Sequence, residues 1–343
     1  MPSLPTSNLG KVLHFPGKIF KALNNLPIVP TMIEVHPTQI CNQACPHCVG
    51  LEADKTQKRE SISFEDFKNK IHDPYECLNL DGEEQVKALS FSGETGDPLV
   101  CPDFFHMLDY TRIPFIIITN NYGKIDPLML KADGIRISLD SVDADKYAAL
   151  HGLKNGAKAL ARVFQNARQL MQWKQEKNTA TSIGFGFLTG SDTSEDEIRR
   201  AINIAGDVGV DYINFRPFHS DQTSLNDIRE KILQEKFPVS VLFSDKYTQI
   251  ASAGDGVTDT CFATAFLMVI ASDLNVFSCC HFTGFEKFST GSLAKTTLEE
   301  IIRHNPSFNK RFPNPACVKW CRGFRINTDI ENIQEVSQFD PFL

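Results

Sequence analysis

The stretch "CNQACPHC" brings Cys41, Cys45 and Cys48 within eight residues. Three thiolates so close can hold three corners of a cubane iron–sulfur cluster and leave its fourth iron open. An open iron can bind a substrate or cofactor, as the open position of a catalytic zinc does. A zinc site needs a fourth ligand. His47 is the local candidate, although Pro46 and Cys48 on either side crowd it. The spacing favours iron–sulfur over zinc, and a disulfide fits least well in a reducing compartment. Five more of the ten cysteines, Cys261, Cys279, Cys280, Cys317 and Cys321, fall near the C-terminus. Cys77 and Cys101 stand alone and read as core or surface thiols.

The bulk numbers set limits on what those residues serve. The chain has 343 residues, 42% hydrophobic and 22% charged, enough for one large domain or two smaller ones. The formal charge of -7 gives no global field for nucleic acid, and no basic cluster supplies a local one. The longest apolar run, "CFATAFLMVIA" at 261–271, is too short to span a bilayer. The first residues lack a basic region followed by an apolar core, so no secretory signal is read there. The expectation is a cytoplasmic protein with reduced thiols and with neither nucleic-acid nor membrane partners.

Strand-like and helical runs alternate along the chain. Strands are expected at 32–38, 88–93, 115–121, 134–140, 181–189 and 211–218, each rich in β-branched or aromatic residues. Helices fit between them: "SFEDFKNKI" after Ser63, "ADKYAALHG", "GAKALARVFQNARQLMQWKQ" and "SEDEIRRAINIAGDVG". The last opens on Ser194 and Glu197 as a capping box. Such alternation implies βαβ units and a parallel sheet, closed or partly closed into a barrel with its chemistry at the C-terminal strand ends. The fold class is therefore α/β, a partial (β/α)6 TIM-type barrel with a small C-terminal subdomain. Residues 1–33 read as an extension, 34–240 as the barrel and 241–343 as the smaller unit. That unit holds one clear helix, "TTLEEIIRH", capped by Thr297 and Glu300.

Alternation also sorts side chains. On the fourth strand Arg136, Ser138 and Asp140 share one face and Ile135, Ile137 and Leu139 the other; on the sixth, Tyr212, Asn214 and Arg216 oppose Ile213 and Phe215. A purely structural barrel fills its interior with Val, Ile and Leu, so two polar inner faces suggest a ligand.

The triplet follows the first expected strand, and with three further motifs in order it resembles the radical S-adenosylmethionine (SAM) superfamily. "SGETGDPL" after the second strand is similar to that family's Gly-Gly-Glu-Pro-Leu segment, "ITNN" to its Thr-Asn-Gly and "IRISLDS" to its Ser-Leu-Asp strand. The resemblance runs from about residue 34 to 325. It implies a [4Fe-4S] cluster on Cys41, Cys45 and Cys48. It also implies SAM contacts from His47, Gly93, Glu94, Gly96, Asp97, Asn120, Ser138 and Asp140. His47 replaces the usual aromatic residue. Either Glu94 or Asp97 is the acid, and "GDPLV" favours Asp97. "SDLNVFSC" and "CVKWCRG" resemble the auxiliary-cluster domains called SPASM and twitch. The cysteine count implies one auxiliary [4Fe-4S] cluster on Cys261, Cys279, Cys317 and Cys321; Cys280 is then spare, and reads as a buried thiol before a replacement for Cys279 or an acid/base facing the substrate.

The resemblance further implies reductive cleavage of SAM to a 5′-deoxyadenosyl radical that abstracts hydrogen from a substrate C–H bond. It implies a one-electron donor such as flavodoxin or ferredoxin. The expected reaction is a two-electron oxidation or rearrangement of a small biosynthetic metabolite. Arg216 would then anchor a carboxylate or phosphate and His219 would be a candidate base. Two other readings compete. One is a peptide maturase acting on a short peptide, which the short extension before residue 34 disfavours. The other is a non-catalytic zinc protein.

Overall fold

The computed structural model describes residues 14–48, 60–80, 86–93, 96–218, 221, 223, 225–247, 260–304, 321 and 323–339. Seven parallel strands follow one another in chain order: β1 (Met32–Val35), β2 (Ala88–Phe91), β3 (Phe115–Thr119), β4 (Gly134–Ser138), β5 (Ser182–Thr189), β6 (Tyr212–Pro217) and β7 (Ser240–Phe243). The first six fall where the sequence places them, shorter at their ends. β7 lies at the point where the alternation was expected to stop.

The sheet also grows from its other edge. β8 (Leu267–Ile270) pairs parallel with β1, and β9 (Asn275–Phe277) and β10 (Ser289–Ser292) add antiparallel to it. The apolar run at 261–271 is thus a short turn followed by β8, a strand buried on both sides.

The helical turns between strands are fixed by local chemistry. Ser63 accepts a hydrogen bond from the Asp66 amide, and Asp143 caps the helix Ala144–His151. Ser194 caps Glu195–Val208, which ends on Gly209 in the left-handed region (φ 85°). Glu197 does not complete a capping box there. Its buried carboxylate instead accepts from Ser141 Oγ (3.1 Å) and Lys146 Nζ (2.8 Å), tying this helix to the loop after β4.

The outward strand faces pack under these helices. Ile135 and Ile137 of β4, Ile183, Phe185 and Phe187 of β5, and Ile213 and Phe215 of β6 are fully buried in one continuous core. Each such side chain contributes about 1.5–3 kcal/mol by leaving water. The opposite faces line the interior of the curved sheet. Register places Arg136 beside Gly184 and Tyr212, Ser138 beside Gly186 and Asn214, and Leu188 beside Arg216. The two β5 glycines are spacers. A Cβ on Gly184 would meet the Tyr212 ring at 2.5 Å, and one on Gly186 would lie 3.2 Å from Arg136 Cδ and 3.5 Å from Arg216 Nη2.

Candidate active site

The cysteine loop leaves β1 and is held from two sides. Ala44 N donates to the carbonyl of His151 (3.1 Å), and Cys48 N closes a turn onto Cys45 O (3.2 Å). Gly152, at φ 60°, lets the end of the helix Ala144–His151 press against this loop; a Cβ there would sit 2.3 Å from Ala44 O. On the other side the β2 loop crosses close beneath. A Cβ on Gly96 would lie 1.9 Å from Thr38 O, and Asp97 N donates to Ile40 O (3.1 Å).

Two neighbours address the thiols directly. Asn120 Nδ2 reaches Cys41 Sγ (3.7 Å) and Asn42 Oδ1 (2.8 Å), while His151 Nδ1 lies 3.4 Å from Cys45 Sγ. Burial pushes the Cys41 thiol up to about 11. Burial and the neighbouring Cys48 and Cys41 push Cys45 up to about 12. A cationic metal centre would reverse that balance, because ligation requires the thiolate.

Spacing tests what that centre is. Tetrahedral zinc, at about 2.3 Å from each sulfur, holds them about 3.8 Å apart. Among the described residues only His72, Asp73 and Glu76 bring three ligand atoms within 4.8 Å of one another. The three loop thiols are thus not all within that distance of one another, as a closed tetrahedral zinc site would hold them. The His72 group is no rival, because Arg112 fills it: its guanidinium bonds Asp73 and Glu76, and its backbone amide donates to His72 Nε2.

Asp97 turns away from the mouth. Its buried carboxylate accepts from Leu99 N (3.0 Å), Thr119 Oγ1 (2.9 Å) and Asn120 N (2.7 Å), which locks the β2 loop to the end of β3. Glu94 lies outside the described residues. Gly93 is needed for the same close approach, since a Cβ there would be 2.3 Å from Gly96 O. His47 packs its ring against Phe218 at the end of β6 (5.5 Å between centroids).

The β4–β6 side carries charge. Asp140 is buried at φ 57°; its Oδ1 accepts from Leu188 N (3.1 Å) and its Oδ2 lies 3.6 Å from His151 Nε2. Burial pushes this carboxyl up, against the pull of His151 and Arg216. Burial likewise pulls the Arg216 guanidinium below its ordinary value, and Asp140 opposes it. Arg216 Nε and Asn214 Oδ1 are buried without a hydrogen-bond partner. Ser138 stands half-buried beside Gly186. His219 lies outside the described residues.

Two interior residues escaped the sequence reading. Glu34 and His36 of the first strand are buried on the face opposite Ile33 and Val35. His36 Nε2 lies 3.1 Å from Glu34 Oε1, which also accepts from Ser92 Oγ (2.8 Å). Period-2 alternation in "MIEVHPT" was the available signal.

In the C-terminal segment, Cys261 precedes the turn Phe262–Ala265, Cys279 follows β9, and Cys321 lies just before the helix Phe324–Phe339. Gly323 lets these segments meet, as a Cβ there would be 2.6 Å from Ala263 Cβ. Buried Asn327 accepts from Ala263 N (2.9 Å) and donates to Cys261 Sγ (3.7 Å). Cys280 is buried with Phe282 and Phe288. Cys317 lies outside the described residues.

The SPASM family, an iron–sulfur cluster-binding domain, matches residues 261–323. Across the whole chain the fold is similar to Streptococcus suis SuiB bound to its precursor peptide SuiA. The TM-score is 0.65 at 14% identity, over 97% of this chain and 80% of that one. It is similar also to SuiB bound to S-adenosylmethionine, with a TM-score of 0.64 at 14% identity, over 97% and 81%. The chain therefore shares the SuiB fold, and its SPASM match is confined to residues 261–323. A S-adenosylmethionine-dependent nucleotide dehydratase of Selenomonas ruminantium is 27% identical over 138 residues. That stretch is 38% of this chain and less than half, 46%, of the relative.

Proposed function

We propose that the protein is a radical SAM enzyme that acts on a C–H bond of an anionic small molecule, with an auxiliary [4Fe-4S] cluster in its SPASM domain. The observation that carries this reading is the cysteine loop. Its three thiols fall within eight residues after β1, with Asn120 Nδ2 donating to Cys41 Sγ and His151 Nδ1 3.4 Å from Cys45 Sγ. When bound to a cluster on Cys41, Cys45 and Cys48, SAM supplies a 5′-deoxyadenosyl radical, as the resemblance implies.

The chain's own residues do the rest. Gly93 and Gly96 keep the β2 loop low enough for SAM to lie over it, and Asp97 holds that loop in place. His47 with Phe218 offers an aromatic wall for adenine. Ser138 and Asp140 face the ribose, with Asp140 oriented by Leu188 N. Arg216, buried with its Nε unmet, takes the carboxylate or phosphate of the ligand, and Asn214 Oδ1, an unmet acceptor, suits a hydroxyl or ammonium donor on it. His36, fixed by Glu34 and Ser92, joins His219 as a candidate proton acceptor. Cys261, Cys279, Cys317 and Cys321 would hold the auxiliary cluster, which would supply a one-electron acceptor. A flavodoxin or ferredoxin supplies the starting electron.

A second reading, a peptide maturase, draws on the fold shared with a peptide-bound enzyme over 97% of this chain. Mixtures of candidate peptides and of anionic metabolites, assayed separately for substrate loss, distinguish the two. The class itself is tested without substrate. Anaerobic, iron-loaded protein with dithionite and SAM is expected to release 5′-deoxyadenosine and methionine, and Cys45→Ala to abolish this. Iron-replete protein that leaves SAM intact would overturn the proposal.

A further inference from the structure

His151 joins the loop that would hold the cluster to the strand that would hold SAM, and no motif of the resemblance includes it. It is the last residue of the helix Ala144–His151, 106 residues from Cys45 in sequence, and it is buried. Three contacts of its ring and one of its backbone place it. The Tyr147 ring lies 4.2 Å away between centroids. The His151 carbonyl accepts from Ala44 N, inside the cysteine loop. Nδ1 lies 3.4 Å from Cys45 Sγ, and Nε2 lies 3.6 Å from Asp140 Oδ2 with no hydrogen bond of its own. A merely space-filling histidine would not have both nitrogens directed at acidic groups in two separate motifs.

We infer that His151 is a positioning residue that donates from Nδ1 to the Cys45 sulfur, its ring set between the cysteine loop and Asp140 at the end of β4. The inference rests on the radical SAM reading. Its physical content is a sign. A donor to a ligating sulfur stabilises the more negative, reduced state of the cluster and so raises its potential. Without that donor the cluster is harder to reduce. Asn120, which donates to Cys41, is the parallel contact on the other flank.

The test needs only SAM as probe. In an anaerobic redox titration followed by electron paramagnetic resonance, the cluster whose signal changes on adding SAM identifies the loop site. If no signal responds to SAM, the radical SAM reading fails, whatever His151 does. Given a responding signal, His151→Phe, which keeps the ring against Tyr147, is expected to shift its midpoint to more negative potential. His151→Asn, which keeps a donor near the Nδ1 position, is expected to restore most of that shift. An unchanged midpoint in His151→Phe at full iron content overturns the inference, as do equal shifts in both variants. The wild type gives an independent check should a variant fail to fold. With 15N-histidine labelling, the reduced, SAM-responsive cluster is expected to show hyperfine coupling to a histidine nitrogen that persists in His47→Phe. Its absence would overturn the contact.

Discussion

At the scale of single residues, chemistry and support look alike in sequence and separate only in three dimensions. Asp97 shows this. Its place in "GDPLV" makes it the natural acid for the SAM amino group, yet its oxygens serve Leu99 N, Thr119 Oγ1 and Asn120 N. Asp97→Ala would leave those donors buried and unmet. We expect a loss on the order of 3 kcal/mol, read as a lower urea midpoint of the apo protein. If Asp97 served SAM alone, the urea midpoint would stay and only SAM affinity would fall. Period-2 alternation made Arg136, Asn214 and Arg216 legible as interior groups. The same rule applied to "MIEVHPT" would have exposed Glu34 and His36. No periodicity could reveal Asp97 or His151, because their partners lie 22 and 106 residues away.

At the scale of elements, close backbone approach builds the site. Gly96→Ala would place a Cβ 1.9 Å from Thr38 O, so the β2 loop must lift from the cysteine loop. We expect severalfold lower iron retention after reconstitution, measured by metal analysis, with the circular dichroism of the sheet unchanged. The N-terminal helix Pro16–Leu23 gives a pH prediction. Lys18 is buried, donates to Val29 O (2.8 Å) and Thr31 Oγ1 (2.9 Å), and is lowered by burial to about 8 from 10.5. Between those values the unfolded chain binds the extra proton, so stability rises with pH there. The Tm deficit of wild type relative to Lys18→Met should therefore shrink from pH 8 to 10; a widening gap would reverse the sign. Six of the strands were legible because each is a β-branched or aromatic run bounded by turn residues. β7 and β8 were missed because short edge and buried strands leave no alternation to read.

At the scale of the whole molecule, one sheet links the two cysteine sets. β8, inside the SPASM match, pairs residue for residue with β1, which leads into the Cys41 loop; His36 N donates to Ile270 O across that seam (2.9 Å). Cys41 follows β1 and Cys261 precedes β8, so along these parallel strands the two cysteines stand beyond opposite ends of the paired segment. Among the described residues no helix is long and apolar enough to cross a membrane. The measurement that reaches the central claim most directly is the iron, sulfide and zinc content of anaerobically prepared protein. Two cubane clusters predict about eight irons and eight sulfides per chain. Stoichiometric zinc without sulfide would contradict the account at both sites.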